Sequence, residues 1–124
     1  MNANDYDGPQ NVAVVLQRYA LGDRRFERCD IEDANFDGST LAGAVFDGSW
    51  FHSASFRRCD LRGVSFMRCC VKCVDFREAD LSDACFEGAA FCGSQFEGAL
   101  LDRASFAGAH CYGAVLSGGD LPAR

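Results

Sequence analysis

A large apolar side chain stands at every fifth position along most of this chain. From Phe26 to Leu121 the five-residue register does not slip, and it extends back to Leu21. A period of five matches neither the 3.6-residue period of a helix nor the two-residue period of a strand. It predicts a solenoid in which each five-residue unit forms one side of a coil.

A second period, of 20 residues, sets the length of one coil. Side chains of one type return at this interval, so four units of five make a four-sided coil in which like residues stack on like. The first column contains Phe26, Phe46, Phe66, Phe86 and Phe106, the second Ile31, Phe51, Val71, Phe91 and Cys111, the third Phe36, Phe56, Phe76, Phe96 and Leu116, and the fourth Leu41, Leu61, Leu81, Leu101 and Leu121.

The residue two places before each large apolar residue is small, most often Ala, Ser or Cys. Both positions are expected to point inward, because four sides converge on one narrow axis. The phenylalanines of the first and third columns and the leucines from Leu41 to Leu101 form the predicted core. The other three positions point outward, and Gly recurs two residues after the large one, where the chain turns a corner.

Four stretches show the local pattern of each unit most clearly: Ala34–Phe36, Cys59–Leu61, Ala79–Leu81 and Gly119–Leu121. In these stretches, and over about residues 24–121, the sequence resembles the pentapeptide-repeat family, whose motif is roughly Ala-(Asp/Asn)-Leu-x-x. The resemblance implies an all-β fold, the family's right-handed quadrilateral parallel β-helix, with about five coils.

The N-terminal segment has a helical pattern instead. Its apolar residues form a one-sided stripe: Val12, Val15, Leu16 and Tyr19. Pro9 is a good helix start and Gly22 a good stop. We therefore expect a helix over about residues 9–20 that covers the N-terminal end of the rod.

Three parts follow from these patterns: an N-terminal segment over residues 1–23, a repeat domain over 24–121 and a tail over 122–124. The last coil is expected to expose an edge near Tyr112 and Leu121. This edge favours a homodimer through the C-terminal coil, unless Pro122 blunts it.

Composition limits the partners and the compartment. The chain has 12 Lys and Arg against 18 Asp and Glu, a formal charge of −6, so direct binding to nucleic acid is not expected. The N-terminus lacks the basic region of a signal peptide, and the aliphatic run Val12–Leu16 is far shorter than the ~20 residues that cross a bilayer. We expect a cytoplasmic bacterial protein with free thiols and no membrane contact.

The eight cysteines are interpreted by their register. Cys70 and Cys73 have the spacing of half a zinc site, but the preceding Cys69 points inward and no fourth ligand is evident, so no metal site is predicted. Cys92 points outward in the same column as Lys72, which favours a thiolate and makes Cys92 the candidate reactive thiol.

Neither catalytic residues nor a cofactor are predicted. The two histidines, His52 and His110, lie about three coils apart. A convex rod also offers no cleft in which paired carboxylates would have shifted pKa values.

The middle of the rod carries a band of arginines interleaved with acidic residues. Four of them form the predicted interaction patch: Arg57, Arg58, Arg62 and Arg77. Ordinary surface salt bridges, each contributing little, are the alternative interpretation.

These observations leave three function hypotheses. The first is a non-enzymatic scaffold that binds an unidentified protein partner. The second is implied by the resemblance, since acidic rods of this family mimic duplex DNA, bind DNA gyrase, and inhibit it or protect it from fluoroquinolones and peptide toxins; the arginine band interrupts the negative track that such mimicry needs. The third is a redox protein built on Cys92 or on Cys70 and Cys73.

Overall fold

The computed structural model describes residues 8–110. One helix, α1 (Val12–Ala20), is followed by four short strands, β1 (Asp30–Glu32), β2 (Trp50–His52), β3 (Cys70–Lys72) and β4 (Ala90–Cys92). The strands form one parallel sheet in the order β1-β2-β3-β4. No helix within residues 8–110 has the length and apolarity needed to span a bilayer.

The strands pair with an offset of 20 residues. Ile31 lies opposite Phe51, which lies opposite Val71, and the same offset continues from Val71 to Phe91. The other sides of the coil pair through isolated parallel bridges with the same offset, such as Val45 with Ser65. The predicted four-sided parallel β-helix with an N-terminal helix is therefore confirmed, whereas the number of coils stays a prediction because residues beyond 110 lie outside the described part.

We number the four faces of the rod by their inward columns. Face 1 contains Phe26 to Phe106, face 2 Ile31 to Phe91, face 3 Phe36 to Phe96 and face 4 Leu41 to Leu101. The four strands make up face 2. Cys111, Leu116 and Leu121, which continue these columns in the sequence, lie outside the described residues.

Stacked aromatic rings fill the axis of the rod. Phe66 has no exposed surface, and its ring centroid lies 5.5 Å from that of Phe46 and 5.2 Å from that of Phe86. Phe56 and Phe76, from face 3, meet the same ring edge-on, each at 5.7 Å. Offset stacks and edge-on contacts are the arrangements that aromatic quadrupoles favour. Every member of the predicted core is buried.

Small inward residues also supply hydrogen bonds inside the rod. The Ser94 hydroxyl donates to the Val71 carbonyl at 2.9 Å and accepts from the Val74 amide at 3.2 Å. The Cys59 thiol donates to the Phe36 carbonyl at 2.9 Å. Buried backbone groups are costly when unpaired, so the choice of Ser or Cys over Ala at these positions has a structural reason.

The corner positions adopt left-handed backbone angles, as the glycines predicted. Several non-glycine residues share this conformation, among them Arg68 at φ 55°. In the next coil Gly88, at φ 69°, lies directly against it, because a Cβ at Gly88 would stand 3.2 Å from the Arg68 Cγ. Glycine is therefore required at this corner both for its backbone angle and for the space above Arg68.

Two details of the N-terminal segment differ from the sequence prediction. The helix begins at Val12 rather than Pro9, because the Asn11 side chain accepts a hydrogen bond from the Val14 amide and acts as the N-cap. Leu21 is not an inward position: its side chain is 80% exposed, since it caps the C-terminus of α1 before the chain enters the first coil. Gly22, at φ 101°, ends the helix as predicted.

The helix closes the N-terminal end of the rod. Val15 is fully buried against the first coil, and the Tyr19 hydroxyl donates to the Ala42 carbonyl at 2.7 Å. The Gly8 amide donates to the Arg28 carbonyl at 3.0 Å. Backbone groups that would otherwise form an open sheet edge are thus covered.

The aromatic stack yields a stability prediction. Phe66→Ala should lower the free energy of unfolding by about 3–5 kcal/mol, as deletion of a fully buried ring does. Urea unfolding measures this, with Met67→Ala, a change at the half-buried outward neighbour, as the control. A loss below about 1 kcal/mol for Phe66→Ala would contradict the packing described here.

Candidate functional site

The predicted arginine patch lies on two faces of the rod. Arg57, Arg58 and Arg77 lie on face 3, in two successive coils, whereas Arg62 lies on face 4. The structure therefore brings three of the four arginines together and places the fourth around a corner. Their side chains are between 41% and 68% exposed.

Arg58 forms an ion pair between coils. Its Nε lies 2.8 Å from Oε1 of Glu78, the residue that follows it by 20 in the sequence. This hydrogen bond lowers the pKa of Glu78 and raises the pKa of Arg58. Both side chains are exposed, so the pair contributes little to stability.

Arg62 pairs within its own coil, with Asp60. Two parallel hydrogen bonds join them, from Nε to Oδ1 and from Nη2 to Oδ2, each 2.8 Å long. The hydrogen bonds from Arg62 lower the pKa of the Asp60 carboxyl. This fork geometry is the strongest form of an arginine–carboxylate contact.

Arg77 occupies the carboxylate of Asp75 in the same way. Its Nε lies 3.0 Å from Oδ1, and its Nη2 lies 2.8 Å from Oδ2. Partial burial of Asp75 opposes its ionisation, but the hydrogen bonds from Arg77 outweigh burial and lower the pKa of Asp75. Both oxygens of this carboxylate therefore already accept from one guanidinium.

Arg57 differs from the other three. Its closest carboxylate oxygen within residues 8–110 is Oδ2 of Asp75, 3.9 Å from its Nε, beyond hydrogen-bond distance. The Arg57 backbone amide donates to Oδ1 of Asp37 at 2.9 Å, and the Ser55 hydroxyl donates to the same oxygen. Asp37 is thus held in place by the coil above it.

A shallow depression of about 280 Å³ lies beside Arg57. It is lined by Asp37, Gly38, Arg57 and Arg58, and we call it the Arg57 pocket. The sequence reasoning named the arginines but not Asp37 and Gly38 as their neighbours. The 20-residue spacing contains this signal, since Asp37 precedes Arg57, and Gly38 precedes Arg58, by one coil.

Ordinary salt bridging accounts for three of the four arginines, and Arg57 remains the best candidate for contact with a partner. The participation of the patch in binding stays a prediction. A separate acidic surface lies on face 2 of the first coil, where Asp30, Glu32 and Asp33 are exposed.

The outward thiols lie on face 2. Cys73 and Cys92 are exposed, Cys70 is half-buried, and the Cys73 amide donates to the Cys92 carbonyl at 2.6 Å. Lys72 lies opposite Cys92 in the sheet register, as the column predicted. The reactivity of Cys92 stays a prediction. Within residues 8–110, no group of three or more His, Cys, Asp or Glu side chains is arranged to hold a metal ion.

The inward thiols have a different environment. Burial raises the pKa of Cys29 and that of Cys59 to about 11, and it raises the pKa of Cys69 further. A thiol is nucleophilic only as the thiolate, so these three residues are inert in the folded rod.

Comparison with known proteins supports the fold. The family model described as pentapeptide repeats matches the chain in eight copies, at residues 29–68, 51–83, 59–98 and 84–121. A search of curated proteins gives no match.

Solved structures of similar shape include three that align with most of the chain. Rfr23, a pentapeptide repeat protein from the cyanobacterium Cyanothece 51142, aligns with 75% of this chain and 64% of its own at 18% identity and a TM-score of 0.72. QnrB1, described as a plasmid-mediated fluoroquinolone resistance protein, aligns with 77% of this chain and 65% of its own at 22% identity and a TM-score of 0.60. The protein alr5209 from Nostoc Pcc 7120, a pentapeptide repeat protein, aligns with 87% of this chain and 97% of its own at 22% identity and a TM-score of 0.58. At these identities the likeness concerns the fold.

Thiol labelling tests the placement of the cysteines. Iodoacetamide at pH 8 should modify Cys73 and Cys92 in the native protein, whereas Cys29, Cys59 and Cys69 should react only after unfolding in urea. Peptide mapping by mass spectrometry measures the modification at each site. Fast native labelling of Cys69 would contradict its inward position.

Proposed function

Because the chain belongs to the pentapeptide repeat family, we propose that it is a non-enzymatic module that binds a partner protein through face 3. The observation that carries the proposal is the outward column of Asp37, Arg57, Arg77 and Glu97. Successive members follow at intervals of 20 residues and are therefore about 4.8 Å apart along the rod. Charged groups at fixed spacing on a straight rod are suited to a partner with complementary spacing.

The backbone holds this column in place before any partner binds. The Phe56 amide donates to the Asp75 carbonyl at 2.8 Å, and the Asp75 amide donates to the Ala54 carbonyl at 3.0 Å, so adjacent coils are joined on both sides of the column. A preorganised surface loses little entropy on binding. Complementary charge then contributes mainly to the choice of partner and to the rate of association.

A binding role also fits the shape of the site. The Arg57 pocket is shallow, and none of its four lining residues is a Ser, Cys or His nucleophile. Its charged groups are instead arranged as donors and acceptors along a convex surface.

We place this module in the cytoplasm of a bacterium, where the seven thiols of the described residues remain reduced. Self-association through the C-terminal coil is retained as part of the proposal. It concerns residues outside the described range and is tested by the mass of the particle in solution.

Affinity capture tests the function of face 3. The bait is the full chain, immobilised in a bacterial lysate with thiols kept reduced. The patch variant Arg57→Glu/Arg58→Glu/Arg62→Glu is compared with Arg68→Glu/Lys72→Glu/Arg103→Glu, which has the same change in net charge on the other faces. We expect the native chain and the control variant to enrich the same partner and the patch variant to lose it. Equal enrichment by all three would contradict a site on face 3.

A second candidate function is DNA mimicry directed at DNA gyrase. It is favoured by the three exposed acidic residues of face 2 in the first coil and by the shape shared with QnrB1. It is opposed by the arginines of the next coil, which interrupt the negative surface.

Direct binding to purified gyrase distinguishes this candidate. If mimicry operates, charge reversal at Asp30, Glu32 and Asp37 should abolish binding. Because Asp37 also accepts hydrogen bonds from Ser55 and Arg57, the double variant Asp30→Lys/Glu32→Lys separates the loss of charge from structural damage. Unchanged binding by the double variant would exclude face 2 as the mimicking surface.

A further inference from the structure

Arg57 has unused hydrogen-bonding capacity at the mouth of a depression. A guanidinium has five N–H donors, and that of Arg57 forms no hydrogen bond with a carboxylate within residues 8–110. Its closest acidic atom is 3.9 Å away, and 42% of its side chain is exposed. Such a group gains from an incoming acceptor more than a guanidinium that is already paired.

The neighbouring carboxylate does not fill this need, because it is occupied by another arginine. Asp75 accepts from Nε of Arg77 at both oxygens, at 3.0 and 3.1 Å, and from its Nη2 at 2.8 Å. Asp75 would have to leave this contact in order to bind Arg57 with the same geometry.

The shape of the Arg57 pocket leaves room for a ligand. Gly38 lies at the corner with φ 75°, and a Cβ built on it would have no atom within 4 Å. Asp37, on the same side, is fixed by its contacts with Ser55 and the Arg57 amide. The pocket therefore has an open floor, one wall that donates hydrogen bonds and one wall that accepts them.

The surrounding charges select the kind of anion. Asp37, Asp75 and Glu78 lie around Arg57 and Arg58, so a dianion such as phosphate would be repelled more strongly than a carboxylate with a single charge. A planar carboxylate also matches the guanidinium fork. In a peptide, the N–H groups beside an Asp or Glu side chain supply donors that suit Asp37.

From these contacts we propose that the Arg57 pocket binds one carboxylate side chain of an acidic segment of a partner polypeptide. The proposal rests on the proposed binding function of face 3 and names the chemistry of the partner there. Arg57 is the main anchor, Gly38 provides the space, and Arg77 acts indirectly by keeping Asp75 away from Arg57.

Titration of the ¹⁵N-labelled full chain with a short acidic peptide tests the proposal. The probe is the hexapeptide Gly-Asp-Glu-Gly-Asp-Glu, acetylated and amidated at its ends, at low salt. We expect saturable shifts of the amide resonances of Gly38 and Arg57 and of the Arg57 Nε–H resonance. The absence of saturable shifts at these groups would overturn the proposal.

Variants assign the roles of the individual residues. Arg57→Gln should weaken peptide binding about tenfold or more, because a charge-assisted contact is lost. Arg77→Gln should also weaken it, since Asp75 is then released to pair with Arg57, and adding Asp75→Asn to Arg77→Gln should restore it. Arg103→Gln is the matched control, because Arg103 forms a similar ion pair with Asp83 on face 4. Equal affinity of Arg57→Gln and the native chain would overturn the proposal.

A parallel titration with inorganic phosphate tests the preference among anions. Weaker binding of phosphate than of the peptide supports the carboxylate assignment, and equal or tighter binding overturns it. The outcome is separable from that of the capture experiment. A partner captured through face 3 while the peptide leaves Gly38 and Arg57 unshifted would refute the carboxylate site and leave the binding function standing.

Discussion

The rod depends on the packing of four sides around one narrow axis. Each side contributes one large apolar residue and one small one per coil, and the ring stack centred on Phe66 shows how little room remains between them. Because the inward positions recur in step with the coil, a shift of one residue in any coil would place a charged residue on the axis. The hydrogen bonds between coils, such as that from Phe56 to Asp75, have the same 20-residue offset and stabilise the same register.

This constraint also divides the outward positions into two kinds. Some still serve the fold: Asp37 and Asp47 each accept hydrogen bonds from a serine and a backbone amide in the next coil. Others, such as the side chains of Arg57 and Lys72, are not required by the coil below or above them. Selection for a partner acts most freely on the second kind, so an acidic residue on this rod is not by itself evidence of a binding surface.

The sequence predicts the parts of the structure that packing controls directly. The inward columns, the corner glycines and the capping helix follow from the spacing of apolar and small residues, because that spacing is the packing. Leu21 was assigned wrongly because the five-residue spacing extends into a helix that obeys a different period, and Asn11 was missed because its capping role depends on its backbone angles.

The ion pairs were only partly predictable, for a related reason. Stacking by 20 residues predicts the pair of Arg58 with Glu78. It does not predict Arg62 with Asp60 or Arg77 with Asp75, in which the partners are two residues apart. Residues two apart in an extended segment point to the same side, about 6.5 Å apart along the chain, which a long arginine side chain readily spans. Which of the two routes an arginine takes depends on rotamers and on competition, neither of which a linear pattern records.

Competition of this kind gives face 3 its character. Around the Arg57 pocket three arginines face three carboxylates: Arg57, Arg58 and Arg77 against Asp37, Asp75 and Glu78. Formal charge therefore balances locally, and a map of net charge would mark the region as neutral. Hydrogen bonding does not balance, because Asp37 is engaged by a serine and a backbone amide and Asp75 by Arg77. One guanidinium is left short of an acceptor by the way its neighbours are paired, so the capacity of this surface to bind an anion resides in a network of contacts rather than in an excess of positive charge.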